Sequence, residues 1–489
     1  MSDITFTHEL AGRFGAVARP LGRAPLLTRG LLPQFIFLSL LILIVVVAVP
    51  YGSVEAWWIA LYECAIFNLG ALWVLEGLVG RSWNVKERAL VAPIVALALF
   101  TFLQSTTLLN SAAISADPFE TRLVFLKLLA LGINAVLLLQ HTSSLRRLRM
   151  LLHVVIAIAV ASALFGIARQ ALQHNESGFI LPYLSRDSGF GQFVNKNHFA
   201  FLMEMAIGLT TGFIFGGAVK REHLLFYLSA IALMWIGLVL TNSRGGLFSM
   251  LAQIAFLIAM VAWLRSKRRT ASPVKRNALQ PFEISSVRFR NSSEISNFRS
   301  QIAVVALSVC LLLVVSVSAV WIGGEVMVTR LASLPGEIKT DAPEPHAGVR
   351  RREVWSATWQ LIKAHPLTGS GFGAYGVAIT KFHDGSGKWT PEAAHNDYLE
   401  LLASGGVVGV GLVVWFGFVF IKRARRQLLS AEPARRAACL GALTGIFGVM
   451  AHNVVDFGLH VTANAVVFAA LVVIAARDSG KKNLNQLEQ

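Results

Sequence analysis

"PEAAHNDYLELLASGGVVGVG", residues 391–411, passes from polar to apolar in its middle. His395, Asn396 and Asp397 stand in a row just before a run that holds Ser404, Gly405, Gly406, Gly409 and Gly411. A hydrophilic segment therefore ends where a long apolar helix begins. Mostly apolar stretches of about 20 residues, the length a helix needs to cross a bilayer, recur along almost the whole chain. Of its 489 residues, 55% are hydrophobic and 15% charged, against roughly a quarter charged in a soluble domain. A single soluble core could not bury such a chain. The pattern implies an all-α polytopic membrane protein.

Apolar windows place twelve helices near 33–50, 55–78, 89–109, 123–141, 150–171, 197–218, 223–240, 245–264, 301–324, 398–421, 437–455 and 459–476. The expected organisation is a cytoplasmic segment 1–32, a membrane domain 33–324 with helices one to nine, and a mainly helical extracytoplasmic cap 325–397. Helices ten to twelve follow over 398–476, then a cytoplasmic tail 477–489. Residues 266–300 are basic, rich in Ser and Asn and weakly periodic, and read as a flexible cytoplasmic linker. No cleavable leader is expected, because the first 30 residues are polar and the following apolar run is long enough to span.

Every second polar segment is basic. Residues 1–32, 79–88, 142–149, 219–222, 265–300, 422–436 and 477–489 together hold 30 of the 44 Lys and Arg. Cytoplasmic loops collect such residues, so both termini are expected in the cytoplasm. The net charge of +17 then reflects topology, and nucleic acid is not an expected partner. Cys64, Cys310 and Cys439 lie in apolar runs without metal-ligand spacing and read as packing residues.

Cations on the other face need another reason: Arg186, Lys196, Arg244, Arg330 and the triplet Arg350, Arg351 and Arg352. In "LTNSRGGLF", 240–248, Arg244 occupies a short turn between two helices. It either snorkels to head groups or, beside backbone amides left free by two glycines, suits a phosphate. In the segment 348–376 the arginine triplet precedes Trp355 and Trp359, which pack the cap or sit at the interface. The glycine-rich "GSGFGAYG" that follows has no strand before it, so a dinucleotide reading is weak.

His395 carries the acid–base option, since a neutral imidazole near ambient pH can take a proton from a hydroxyl. The plainer reading is that Asn396 or Asp397 caps the helix. The small residues after it permit close packing or a local break. Two more polar clusters share this face. "GFGQFVNKNHFAFLMEM", 189–205, sets Asn195, Lys196, Asn197 and His198 at the mouth of helix six. "AHNVVDFGLHVTAN", 451–464, sets His452, Asn453, Asp456 and His460 around the last turn. At membrane depth such groups are either paired or functional. The outer acids are scattered, so neither metal nor cofactor is expected, and no nucleophile elbow supports a hydrolase. A two-halved transporter competes with the enzyme reading, but no internal repeat is evident.

These residues resemble the O-antigen ligase and polymerase superfamily of bacterial membrane glycosyltransferases, over roughly residues 185–465. The family's signature is His, then Asn, Ser or Gln, nine residues, Gly, two residues, Gly and usually Thr. Here it reads as His395, Asn396, Gly406 and Gly409, with Val410 where Thr is usual. Arg244 with Leu247 resembles the family's arginine-before-leucine motif, one residue shorter than usual, so that Phe248 takes the leucine place. Arg351 ahead of Trp355 resembles its loop arginine, with Arg350 and Arg352 as alternatives. "FVNKNHFA" is similar to a segment of the exopolysaccharide-polymerase branch.

The resemblance implies a metal-independent inverting glycosyltransferase at the periplasmic side of the inner membrane. Its donor would be a glycan on undecaprenyl pyrophosphate, and its acceptor a glycan or lipid-linked sugar. Membrane lipids and other polysaccharide-assembly proteins complete the partners it implies. Arg244 and Arg351 would hold the pyrophosphate, and His395 would activate the acceptor hydroxyl. Asn396, Asn197, His198, Arg350, Arg352 and Arg330 would bind substrate. Polymerase is the leading expectation. The alternatives are a ligase, passing glycan to lipid A–core or to protein, and a transporter or flippase.

Overall fold

The computed structural model describes residues 31–80, 87–108, 112–142, 144–173, 181, 184, 189–270, 351–383 and 391–477. Among these residues the chain is helical, and its only extended pairing is an isolated bridge between Phe190 and Phe193. The helices are α1 Leu32–Ala48, α2 Ala56–Gly80, α3 Arg88–Gln104, α4 Pro118–His141, α5 Leu145–Leu172, α6 Lys196–Phe215, α7 Arg221–Leu240 and α8 Arg244–Thr270. There follow α9 Arg351–Ala364, the short α10 Tyr375–Ala378, α11 Asp397–Leu428, α12 Pro433–His452 and α13 Thr462–Ala476. Eight are long and apolar enough to cross a membrane, and α1, α3 and α13 are shorter apolar helices. These match eleven of the twelve expected segments. The expected helix 301–324, the linker over 271–300, the first part of the cap (325–350) and both chain ends lie outside the described residues.

The helix starts follow ordinary capping chemistry. Asp117 accepts the amides of Phe119 and Glu120 and precedes Pro118, so α4 begins there. Asn195 caps α6 and Ser144 caps α5 in the same way. Outward faces are apolar: Leu225, Phe226, Leu251 and Phe418 are all largely exposed. Such a surface has lipid as its natural solvent.

The centre of the bundle is the crossing of α6 on α12. Gly208 and Gly212 lie directly against Gly445 and Gly441, so that backbone meets backbone. Most of α6 is buried for this reason. Polar ends then sort into two groups. At one end Ala463 N–H donates to Gly52 O (3.1 Å) and Gln192 Nε2 donates to Ala48 O (3.0 Å). At the other, Arg423 pairs with Glu87 at 2.8 Å and Arg147 donates to His141 O. Helices that cross alternately produce this sorting.

α11 is broken at Gly406, whose φ is 60° and ψ −164°. The break frees helix donors and acceptors, and residues 366–373 take them up. Val407 and Val408 N–H donate to Pro366 and Leu367 O (2.9 and 3.1 Å), while Ser370 and Gly371 N–H donate to Ala403 and Ser404 O (2.9 and 3.0 Å). Gln104 of α3 ties the two together: its Nε2 donates to Thr368 O (2.7 Å) and Ser404 O (2.9 Å). The glycine-rich stretch is thus a strap across a broken helix. Gly406→Ala is expected to cost about 1–3 kcal/mol from backbone conformation alone, and its Cβ would also overlap the Leu367 carbonyl. A lowered unfolding midpoint in detergent checks this, and an unchanged midpoint would contradict it.

Candidate active site

His395 stands in the turn that leads into α11, with its backbone in the left-handed region (φ 50°). Its neighbours fix it on both sides. Ala394 O accepts the Trp355 indole N–H (2.9 Å), and Ala394 N–H donates to Glu400 Oε2 (2.8 Å). On the other side, Asn396 Oδ1 accepts the amides of Tyr398 and Leu399. Asp397 N–H donates to Asn453 O (2.9 Å) at the end of α12. The imidazole itself is 42% exposed. A rigid turn therefore presents one ring.

That ring faces Asp456, in the connection from α12 to α13. Nδ1 lies 3.9 Å from Asp456 Oδ1, an electrostatic contact rather than a hydrogen bond. The carboxylate is 1% exposed. Phe457 N–H donates to Oδ1 (2.9 Å) and Asn197 Nδ2 donates to Oδ2. Burial by itself would push this carboxyl up. His395, the Phe457 N–H and the nearby His198 and His452 more than offset it and hold the carboxyl down to about 2. Asp456 is therefore ionised at neutral pH. A proton on His395 Nδ1, facing that charge, leaves Nε2 as the basic nitrogen.

Phe457 fills the space beside the pair. His198, at the start of α6, packs edge-on to it and is 93% buried, with no hydrogen-bond partner for Nε2 among the described residues. His460, in the 3₁₀ turn Gly458–His460, faces Asp397 (3.4 Å) and Glu400 (3.7 Å), and its carbonyl accepts from Lys127 of α4 (2.6 Å).

Beneath this layer the helices that carry it are clamped by a buried pair. His452 Nδ1 lies 2.7 Å from Glu204 Oε1, with exposures of 1% and 0%. Ser249 of α8 donates to Glu204 Oε2 (2.8 Å) and Gln253 donates to Glu204 O (3.0 Å). One acid of α6 thus holds both α8 and α12. Breaking one member of a buried pair costs roughly 3–5 kcal/mol. Glu204→Ala is accordingly expected to lose folded protein, as read by size-exclusion chromatography of the detergent extract. A wild-type profile would contradict the clamp.

Arg244 is the first residue of α8, half-buried at its N-terminus. Of the glycine amides expected to be free beside it, that of Gly246 is engaged. Ser243 Oγ accepts the Gly246 N–H (3.1 Å), because Ser243 caps the helix. Gly245 has a packing reason of its own: a Cβ there would overlap His452 Nε2. The end of α8 is thereby pressed against the end of α12, from which Asn453 reaches Asp397.

The structure brings His395, Asn396, Asn197 and His198 together, and Arg244 begins α8 one residue before Gly245, which packs on His452. Two of the expected substrate groups are engaged internally: Asn396 caps α11 and Asn197 holds Asp456. Arg351 and Arg352 are exposed at the start of α9. Arg351 lies one turn before Trp355, whose indole bonds Ala394 O. Arg186, Arg330 and Arg350 lie outside the described residues. Asp456 and His460 were visible in the sequence only as part of a polar cluster, and Phe457 carried no signal there. Their place in the site comes from the fold.

Apolar helices whose one polar end gathers a fixed carboxylate, three imidazoles and a helix-borne arginine define a multi-pass membrane protein with an enzyme-like site. Residues 229–414 match the family model described as O-antigen ligase. This match supports a place for the chain in the O-antigen ligase and polymerase superfamily. His395, Arg244 and Arg351 fall within the matched residues, whereas Asn197, His198 and Asp456 lie outside them. No curated protein matches the chain.

Proposed function

We propose that this protein transfers a glycan from undecaprenyl pyrophosphate to a sugar hydroxyl at the outer face of the bacterial inner membrane. The observation that supports it most is the facing of His395, on its fixed turn, and the buried ionised Asp456. His395 Nε2 removes the acceptor proton as the acceptor oxygen bonds to the anomeric carbon. The bond from that carbon to the pyrophosphate oxygen breaks on the opposite side, and the electron pair leaves with the pyrophosphate. Configuration inverts. Asp456 orients the ring and stabilises the imidazolium that forms.

Arg244 and Arg351 neutralise the charge that develops on the leaving group. Arg352, next to Arg351 in the chain, would be a further phosphate or sugar contact, and Arg330 and Arg350 keep the role that the resemblance implies. The outer-face assignment is supported by charge. Arg423, Arg147 and Lys220 all belong to the end opposite His395, and basic segments stay in the cytoplasm. The site would then lie where a lipid-borne pyrophosphate meets a water-borne hydroxyl.

The leading reading is a surface or exopolysaccharide polymerase, whose acceptor is another lipid-linked repeat. It is supported by "FVNKNHFA", whose Asn197 and His198 stand in the site. The family description favours a ligase as the second reading. Lipid-linked glycans from cells without this protein separate the two. Single repeats accumulating on the lipid indicate a polymerase, and full-length chains stranded there indicate a ligase. An unchanged glycan profile would favour a transporter of something else.

A further inference from the structure

We propose that Phe457 is the positioning residue of this site: an aromatic wedge that sets His395 against Asp456 and keeps His198 and His460 off that carboxylate. The inference rests on the reading of His395 as the base. The Phe457 ring centre lies 4.9 Å from that of His395, 5.1 Å from His198 and 5.5 Å from His460. The interplanar angles are 67°, 77° and 64°. All three are edge-to-face contacts, the arrangement an aromatic quadrupole favours.

One ring therefore touches three imidazoles that come from three separate segments: the turn before α11, the first turn of α6 and the Gly458–His460 turn. The Phe457 backbone N–H donates to Asp456 Oδ1 (2.9 Å), so the residue that carries the ring is tied to the carboxylate. Three imidazoles around one buried carboxylate would compete for it. The partners are nevertheless divided. Asp456 takes Asn197 and faces His395, His460 turns to Asp397 and Glu400, and His198 Nε2 has no hydrogen bond among the described residues. The ring occupies the space through which the imidazoles would exchange.

The role is aromatic rather than volumetric. When His395 takes the acceptor proton, the aromatic ring beside it lies 4.9 Å away between ring centres, within the range of a cation–aromatic contact. A leucine fills similar space but lacks that flat edge-on contact. Misplacement of a reacting group by about an ångström costs on the order of a hundredfold in rate, so the wedge matters through His395.

The test compares full-length wild type with Phe457→Leu, Phe457→Tyr and His395→Ala. Each is produced in cells lacking the chromosomal copy and also purified with ¹³C-labelled histidine rings in lipid nanodiscs. Phe457→Leu is expected to lower transfer about tenfold to a hundredfold, and to shift the ring resonances of His395, His198 and His460 together. Phe457→Tyr is expected to restore both. Resonances of His153 and His223, at the far end of the bundle, report folding. If Leu disturbs these too, Phe457→Met replaces it and the same contrast with Tyr decides.

Wild-type transfer in the aliphatic variant overturns the wedge. So does a folded Tyr variant as weak as the Leu one. Transfer by His395→Ala overturns the base assignment instead. An inactive His395→Ala beside a fully active Phe457→Leu overturns the wedge alone.

Discussion

His395→Ala is expected to lower glycan transfer by about 10²–10⁴-fold, the range for loss of a positioned general base, with no loss of folded protein. The ring is half-exposed and makes no hydrogen bond that holds the fold, so its removal leaves the turn intact. The contacts that shape the turn belong to its neighbours: Trp355 and Glu400 hold Ala394, and Asn396 caps α11. Stability and rate should therefore separate. Transfer by the purified variant in nanodiscs, against its unfolding midpoint, measures both. Full activity at a normal midpoint would remove His395 from the chemistry. A joint collapse of both would make it a structural residue.

Arg244→Ala is expected to lower transfer by about 10²–10³-fold, comparable to losing one preorganised donor to a developing anion. A cation at a helix N-terminus opposes the helix dipole. An anion bound beside Arg244, the first residue of α8, would be attracted by both the guanidinium and the helix end. Arg244→Lys keeps the charge and loses the planar fork, so it should recover only part of the rate. Equal activity of Lys and Arg variants would reduce the residue to a point charge. Wild-type activity of the Ala variant would show that the pyrophosphate is held elsewhere.

Local chemistry made the first half of this site legible. A polar triplet before an apolar run marks a helix start at the membrane surface, and His395 to Asp397 read that way directly. Arg244 stood out because positive-inside sorting gives it no reason to be where it is. The helices were legible for the same cause: apolar length is a local property. The partners were not. Asp456 reaches His395 only because α12 ends beside α11, and no spacing rule joins positions so far apart in the chain.

The glycine-rich stretch over 369–376 shows the same limit. In the sequence its glycines offer only a weak dinucleotide reading, whereas the fold lays the stretch across the break at Gly406. The sequence reading allowed a break in that helix but gave no means of finding the strap that completes it. Phe457 was hidden for another reason. A phenylalanine near a membrane surface is ordinary, and only its contact with three imidazoles separates it from packing.

The most direct test of the central claim is the lipid-linked glycan profile, by gel and mass spectrometry, of cells lacking the chromosomal copy and supplied with wild type or His395→Ala. Wild type is expected to restore the finished glycan, while His395→Ala, present in the membrane at the same level, leaves undecaprenyl-pyrophosphate-linked substrate to accumulate. Identical profiles from the two proteins would contradict that claim.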